Sequence, residues 1–296
     1  MRVVFIGSSR SSEILLNKSL KLGLNIVGIC AKNKSFNYDF IDLKKKFLKK
    51  KIPTTYVNNI NSYKISRWIK KKKPDLIFCF GWSQILKKNI YSLPRIATIG
   101  FHPTELPKNR GRHPIIWSLV LGLKKTASSF FIIDSEKPDS GTIISQKIIK
   151  IRSNDNATTL YKKIIKKSSN QLQQIINFFK IKRKLGKNKI FKSNSWRKRN
   201  YDDGRIDWRM SSKNIFNLVR ALQKPYMYAH FYFNNEQIKI LRCKIIRFKD
   251  KKNDLNIEPG KVLLKRKSFF DVKCGEGVIR VLKTNKTINL NKLRYL

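Results

Sequence analysis

The sequence predicts an α/β protein: a Rossmann-like open sheet followed by a small carboxyl-terminal β-barrel. Three observations carry that prediction. The chain opens on the apolar run Val3–Ile6, then Gly7-Ser8-Ser9, then Ile14, Leu15, Leu20 and Leu22 in a helical segment, then a second apolar run over 25–30. Strand, glycine turn, helix and strand are the opening of a nucleotide-binding-type α/β unit. Leu76–Phe80 and Ile96–Phe101 add two more apolar runs of strand length, the first with the continuity of a strand buried on both faces. From Ala229 the pattern changes to short alternating runs, separated by Asn234-Asn235, Pro259-Gly260 and Gly275-Glu276-Gly277, which is the punctuation of a small barrel.

The elements between follow in order. Residues 31–42 form a short polar loop with Asn33, Asn37, Tyr38 and Asp39, and a helix with Phe40, Leu43, Phe47 and Leu48 comes next. Thr54–Val57 reads as an edge strand. Asn61 is placed to cap a helix whose Ile65, Trp68 and Ile69 share a face, ended by Pro74-Asp75. Ser129–Ile133 and Ile143–Ile149 are strands around a loop, and 158–180 is a long helix with one apolar face. The polar, basic stretch 182–195 reads as the start of a linker. Helix 211–222 carries Ile215, Leu218, Val219 and Leu222 on one face, and Arg220 with Lys224–Tyr226 is expected to approach the site. In the barrel part, Gln237–Leu241 and Cys243–Phe248 read as separate runs. The expected division is 1–185, a linker and closing helix over 186–224, and the barrel over 225–296.

Composition bounds the function. The 296 residues carry 66 Lys+Arg against 18 Asp+Glu, a formal net charge of +48. That balance points toward nucleic acid. Yet Lys, Asn and Ile crowd the whole chain, and the runs Lys44–Lys46, Lys49–Lys51 and Lys70–Lys73 follow helical apolar positions. The excess therefore reads as composition bias on solvated faces, with non-specific attraction to polyanions expected either way. No apolar run reaches the ~18 residues of a membrane span, and the amino terminus lacks a signal peptide's apolar core and cleavage site. Cys30, Cys79, Cys243 and Cys274 have no CxxC spacing. They read as free thiols in a reducing cytoplasm, with no metal site. No G-x-G-x-x-G follows the first strand, so dinucleotide binding is not supported.

The stretch from Phe101 to Gly141 carries the chemistry. His102 ends a strand, where open α/β sheets place ligands. Pro103, Pro107 and Gly111 punctuate the loop after it, and Pro114 suits a first helical turn. Asp139 sits in the loop between the two later strands. If those strands share the sheet, a His and an Asp facing each other make a general-base pair. Taken alone, His102 reads more readily as a structural hydrogen-bonding residue than as a catalyst.

The pattern as a whole resembles the active-site segment of the folate-dependent formyltransferases. Their pattern is Asn-x-His-x-Ser-Leu-Leu-Pro-x-x-Arg-Gly, followed later by Asp-x-Gly. His102, Leu106-Pro107, Arg110-Gly111 and Asp139-Ser140-Gly141 match it without gaps. The resemblance implies the formyltransferase fold, 10-formyltetrahydrofolate as co-substrate, and catalysis by His102 and Asp139. It further implies a folate site drawn from Gln84, Ile85, Leu86, Thr104, Glu105, Leu106, Pro107, Arg112, Ser135, Glu136, Lys137 and Pro138. Loop bracing is the alternative role for Arg110 and Arg112. Two departures stand out. Gly100 occupies the position of the family's Asn, which helps hold the oxyanion, and Thr104-Glu105 replace Ser-Leu. Losing an oxyanion donor costs ~10²–10³ in rate.

The expected acceptor is the amine of a nucleotide-linked amino sugar, because residues 31–42 lack the long basic insertion with which the tRNA enzymes touch the acceptor stem. Methionyl-tRNA is the alternative, favoured by the basic charge and the barrel. A non-catalytic folate- or RNA-binding relative is a third reading, which Gly100 permits. The oligomeric state, including a homodimer through the barrel, is left open by the sequence.

Overall fold

The computed structural model describes residues 1–35, 38–180, 192–246, 256–289 and 294–296. The chain runs β1 (Arg2–Ile6), α1 (Arg10–Lys21), β2 (Asn25–Ala31), α2 (Leu43–Lys46), β3 (Thr54–Tyr56), α3 (Tyr63–Lys71), β4 (Leu76–Cys79), α4 (Lys88–Tyr91) and β5 (Ala97–His102). It continues β6 (Arg110–Gly111), α5 (Pro114–Val120), β7 (Lys125–Ile132), β8 (Ile143–Lys150), α6 (Ala157–Lys180) and β9 (Ser195–Trp196). Last come α7 (Ser212–Ala221), β10 (Ala229–Phe233), β11 (Glu236–Ile246), β12 (Val262–Arg266), β13 (Phe269–Lys273) and β14 (Val278–Thr284). Two compact units result. The first is Met1–Pro114, Lys125–Lys150 and Lys162–Arg197; the second is Ile115–Lys124, Ile151–Tyr161 and Lys198–Leu296.

The first unit is built on a seven-stranded sheet of order β3-β2-β1-β4-β5-β7-β8. β1 to β5 are parallel, and β7 and β8 run antiparallel at one edge. The central strands read as continuous apolar runs because helices cover both faces. On one face Val3, Phe5, Phe78, Phe80, Ile99 and Phe130 pack with Leu15 and Leu16 of α1 and Leu172, Ile175 and Ile176 of α6. On the other, Val4, Ile6, Cys30 and Ile77 pack with Ile65 and Ile69 of α3 and Ile90 of α4. α1 starts sharply because Ser9 caps it in a reciprocal box with Ser12.

One helix start differs from the sequence expectation. Ser62, not Asn61, is the N-cap residue of α3. The Asn61 side chain is engaged elsewhere: it donates to the Ile85 carbonyl at 2.9 Å and accepts from the Lys87 N–H at 2.9 Å. It thus holds the segment that leaves β4.

The second unit pairs its alternating runs into a five-stranded antiparallel sheet of order β10-β11-β14-β13-β12. β10 and β12 are the ends of that order. The two runs that read as separate around Arg242 are one strand, β11, whose register against β14 shifts between Ile240 and Cys243; residues 247 and 248 lie outside the described residues. Arg220 of α7 is a brace within this unit and not a group held ready for a ligand. It is buried, donates to Asn217 Oδ1 at 2.9 Å, and reaches the carbonyls of Arg152 and Asp155 at 3.2 and 3.1 Å. The four cysteines are free. Burial pushes the Cys243 thiol up to about 12 and the Cys274 thiol up to about 11. No described helix is long and apolar enough to cross a membrane.

His230 gives the second unit a pH signature. Its ring is buried, stacked on Tyr201 at 4.8 Å and edge-on to Tyr232 at 5.8 Å, with Nε2 unpartnered. Burial foremost, then Lys239, holds its pKa below the usual value; Asp202 opposes and Arg205 reinforces. On acidification the unfolded chain therefore takes up this proton first. The stability it contributes is complete above an unfolded pKa of about 6.5 and is lost as pH falls through the lower folded value. Thermal melting across that range should show a fall in Tm on acidification, and His230→Phe should flatten it. An equal slope in the variant would assign the fall to other groups.

Candidate active site

His102 closes β5, and its buried ring is held at both nitrogens. Nε2 lies 3.1 Å from the Asn109 carbonyl, and Nδ1 lies 3.5 Å from Asp139 Oδ2. Both neighbours are acceptors, so only a doubly protonated ring gives each a hydrogen; the neutral ring leaves one nitrogen facing an acceptor with its lone pair. The second contact is long for a hydrogen bond, as apo catalytic contacts often are. Asp139 Oδ2 also accepts the Gly111 N–H at 3.1 Å. One carboxylate therefore ties the loop after β5 to the loop after β7.

β7 runs antiparallel to β5, with Ile132 opposite Ile99 and Ser129 opposite His102. The chain therefore leaves β7 beside Thr98, at the far end of β5 from His102; the Ile133 N–H donates to the Thr98 carbonyl at 2.8 Å. Loop 134–141 has to double back about four residues, roughly 13 Å at the strand rise, to bring Asp139 to His102. Asp139 makes that reversal in the left-handed region at φ 51°, which Asp tolerates. Ser135 and Ser140 share a hydrogen bond of 2.9 Å across the loop.

The loop after His102 is fixed from a direction the sequence did not indicate. β6 pairs in parallel with β9. Asn109 donates its N–H to Asn194 Oδ1 at 2.9 Å, and Asn194 Nδ2 donates back to Asn109 Oδ1 at 3.2 Å. This places the Asn109 carbonyl against His102. Gly111, at φ 99°, lies where any Cβ would stand 2.3 Å from the Trp196 carbonyl. Residues 192–195, the described part of the stretch that reads as linker, and Trp196 after them thus run beside the candidate site within the first unit. Asn194 had no sequence signal, because nothing in a polar stretch marks one Asn from the next.

The other sequence-predicted residues take different positions. Arg112 Nη1 donates to the Ser83 carbonyl at 3.1 Å, which joins the 83–86 segment to this loop. Ser83 Oγ accepts from Lys32 Nζ at 3.1 Å. Gln84 does not offer its side chain: Nε2 donates to the Asn58 carbonyl at 2.6 Å and Oε1 accepts the Ile60 N–H at 3.0 Å. Ile85 is exposed and Leu86 is core. Thr104 and Leu106 are buried, the former donating to the Lys108 carbonyl at 3.2 Å. Glu105 pairs with Lys125 at 3.0 Å. Pro107 follows a cis peptide bond. Ser135 is half-buried, and Glu136, Lys137 and Pro138 are exposed at the tip of the returning loop. Trp82 Nε1 and Arg110 Nε are buried donors without partners. Unpartnered buried donors, the rest of the Arg112 guanidinium and the exposed Ile85 suit a ring with a carboxylate tail, so the residues present fit a folate.

Gly100 has a packing explanation. It lies opposite Phe131 on β7, and a Cβ there would stand 2.5 Å from Phe131 Cζ. The ring fills the volume that a side chain at position 100 would take. On β4, Cys79 neighbours Gly100, and burial foremost, then the Asp139 charge, pushes its thiol up to about 12. Position 100 therefore lies in a dry, tightly filled part of the sheet.

Comparison with known proteins names a family for the chain. A formyl transferase model matches residues 1–176 and a formyl transferase carboxyl-terminal domain model matches 198–291. The chain belongs to the formyl transferase family. It is 32 % identical over 309 aligned residues to the bifunctional polymyxin resistance protein ArnA of Wigglesworthia glossinidia brevipalpis, over 99 % of this chain and 46 % of that one. The chain thus spans about half the length of that relative. It is 28 % identical over 288 residues to methionyl-tRNA formyltransferase of Thermodesulfovibrio yellowstonii, over 95 % of this chain and 89 % of that one. Among solved structures, the N-formyltransferase from Helicobacter canadensis in complex with folinic acid and dTDP-3-aminofucose superposes with a TM-score of 0.70 at 16 % identity, over 95 % and 98 % of the two chains. HypX from Aquifex aeolicus in complex with tetrahydrofolic acid gives 0.61 at 16 %, over 96 % of this chain and 44 % of that one. At those identities the two structures show a shared fold.

The Gly100–Phe131 contact makes a measurable cycle. Gly100→Asn overpacks the sheet and should cost about 1–3 kcal/mol or more. Phe131→Ala leaves a cavity and should cost about 3–5 kcal/mol. The double variant should cost less than the sum, by about 1 kcal/mol or more in urea unfolding. Simple additivity would mean that the two positions do not compete for the same volume.

Proposed function

We propose that this chain transfers a formyl group from 10-formyltetrahydrofolate to a primary amine, and that the amine belongs to a nucleotide-linked amino sugar. The His102–Asp139 contact at the strand end carries the chemical part of this reading. When bound, 10-formyltetrahydrofolate supplies the formyl carbon as an activated amide. The neutral His102 ring has one nitrogen whose lone pair faces an acceptor, and that nitrogen takes the proton the amine loses as the amine bonds to that carbon. It then returns the proton to the nitrogen that leaves, so the transfer is proton-neutral. Asp139 orients the ring and offsets the charge it gains meanwhile. The Asn109 carbonyl keeps the ring in plane. In this reading the 84–86 segment, the 104–107 loop and residues 135–138 frame the folate, and Arg112 takes a carboxylate with the donors it has left.

Two observations support the sugar acceptor. The loop over 31–42 is short, and its described part is drawn onto the β1–α1 turn: the Arg10 N–H donates to the Asp39 carbonyl at 2.8 Å and the Ile41 N–H to the Ser8 carbonyl at 3.0 Å. A fold neighbour solved with dTDP-3-aminofucose agrees with it. Methionyl-tRNA is the second reading, favoured by a relative that matches over 95 % of this chain and by the net charge of +48.

The test is formyl transfer from 10-formyltetrahydrofolate to a panel of nucleotide-linked amino sugars and to methionyl-tRNA. Turnover on a sugar is expected. His102→Ala should lower kcat/KM at least ~10²-fold, and Asp139→Asn should lower kcat in the same direction. Turnover on methionyl-tRNA alone would overturn the acceptor. Turnover on neither would overturn the proposal.

A further inference from the structure

The lysine run after residue 69, which reads in the sequence as a solvated face, lines a groove. α3 holds Lys64, Arg67, Lys70 and Lys71 and no acidic residue. Arg67, Lys70 and Lys71 stand at i, i+3 and i+4, one face of the helix. They border a groove of about 610 Å³ together with Tyr63 and Ser66 of α3 and with Asn89, Ser92 and Leu93 at α4. Ser66 Oγ donates to the Asn89 carbonyl at 3.0 Å, so the two walls are tied together. No carboxylate lines the groove.

Its cations are unspent. Among the described residues, Arg67, Lys70 and Lys71 have no ion-pair partner. The acid nearest in sequence, Asp75, is occupied by Arg95 Nε at 2.9 Å and by the Arg2 N–H at 2.8 Å. The Lys44–Lys46 run differs: Lys46 pairs with Glu13 at 3.7 Å and Lys44 lies over the Tyr56 ring at 4.8 Å. Like charges at helical spacing repel, so an anion in the groove relieves them. Tyr63 adds an aromatic ring that is 79 % exposed. Asn89 and Ser92 add neutral polar groups that suit sugar hydroxyls.

We propose that the α3–α4 groove binds single-stranded RNA, with Arg67, Lys70 and Lys71 on backbone phosphates and Tyr63 as a stacking face for a base. Unpaired cations beside an exposed aromatic ring are the two parts of a sequence-tolerant single-strand site. The groove shares no residue with the His102–Asp139 site, so the proposal stands or falls apart from the choice of acceptor.

The test separates this groove from the charge of the whole chain. A labelled oligoadenylate RNA of about 12 nucleotides is titrated with the full chain by fluorescence anisotropy over a salt series. The triple variant Arg67→Glu, Lys70→Glu, Lys71→Glu is compared with Lys45→Glu, Lys49→Glu, Lys50→Glu, which changes net charge equally on exposed lysines elsewhere. The groove variant should bind at least ~10-fold more weakly and lose about 2 from the salt slope, at ~0.7 per phosphate contact. The control should lose less than ~3-fold. Tyr63→Ala should weaken binding ~10-fold, the value of one stacked base. Thermal melting checks that each variant is folded; if the triple variant is not, Arg67→Gln and Lys71→Gln are compared with Lys45→Gln and Lys49→Gln in the same way. Equal losses in groove and control variants, or unchanged binding by the groove variant, overturn the proposal. So does displacement of the RNA by ADP at matched phosphate concentration, which would make the groove a mononucleotide site.

Discussion

Asp139 Oδ2 lies between two hydrogen-bond positions, the Gly111 N–H and His102 Nδ1, and the candidate site depends on that shared contact. That carboxylate ties the loop after β5 to the loop after β7 at the His102 ring. The arrangement has to be built against the direction of the sheet. An antiparallel β7 carries the chain away from His102, and only a loop that doubles back returns a side chain to it. A loop of this kind keeps its shape through local bonds such as Ser135 to Ser140. The left-handed backbone at Asp139 is the local strain such a reversal involves.

Sheet packing and site chemistry meet at Gly100. Phe131 fills the space beside it, on the strand face that His102 shares. Here the volume next to the His102 ring belongs to the core. A ring in that place excludes water and stiffens the β5–β7 pairing, which strengthens any charge interaction nearby. It also leaves no room for an amide.

The basic surface is uneven in a way that net charge conceals. Some lysines pair with acids or lie over rings, and others have no ion-pair partner among the described residues. With 18 acids for 66 basic groups, most cations go unpaired by arithmetic. What distinguishes the α3–α4 groove is that its unpaired cations line a concave feature beside an exposed aromatic ring.

The sequence by itself determined most strands and helices of the first unit in order, though not α4, β6 or β9, as well as the alternating strands of the second and the facing of His102 by Asp139. Those features rest on apolar periodicity and on a gapless motif, both local properties of a chain. It also exposed Gly100, because a missing side chain is visible in a one-dimensional pattern. The tertiary structure alone decided the rest. Only the register of β5 on β7 shows that Phe131 fills the place beside Gly100. Only the β6–β9 pairing brings Asn194, 85 residues away, to the loop that holds His102. Asn61 and Gln84 brace loops by bonds to backbone groups 24 and 26 residues distant, which no spacing rule encodes. Arg220 is expected from the sequence to approach the site; its three carbonyl partners come from a segment more than sixty residues earlier. A sequence fixes which groups are available, and long-range packing decides which of them are already spent.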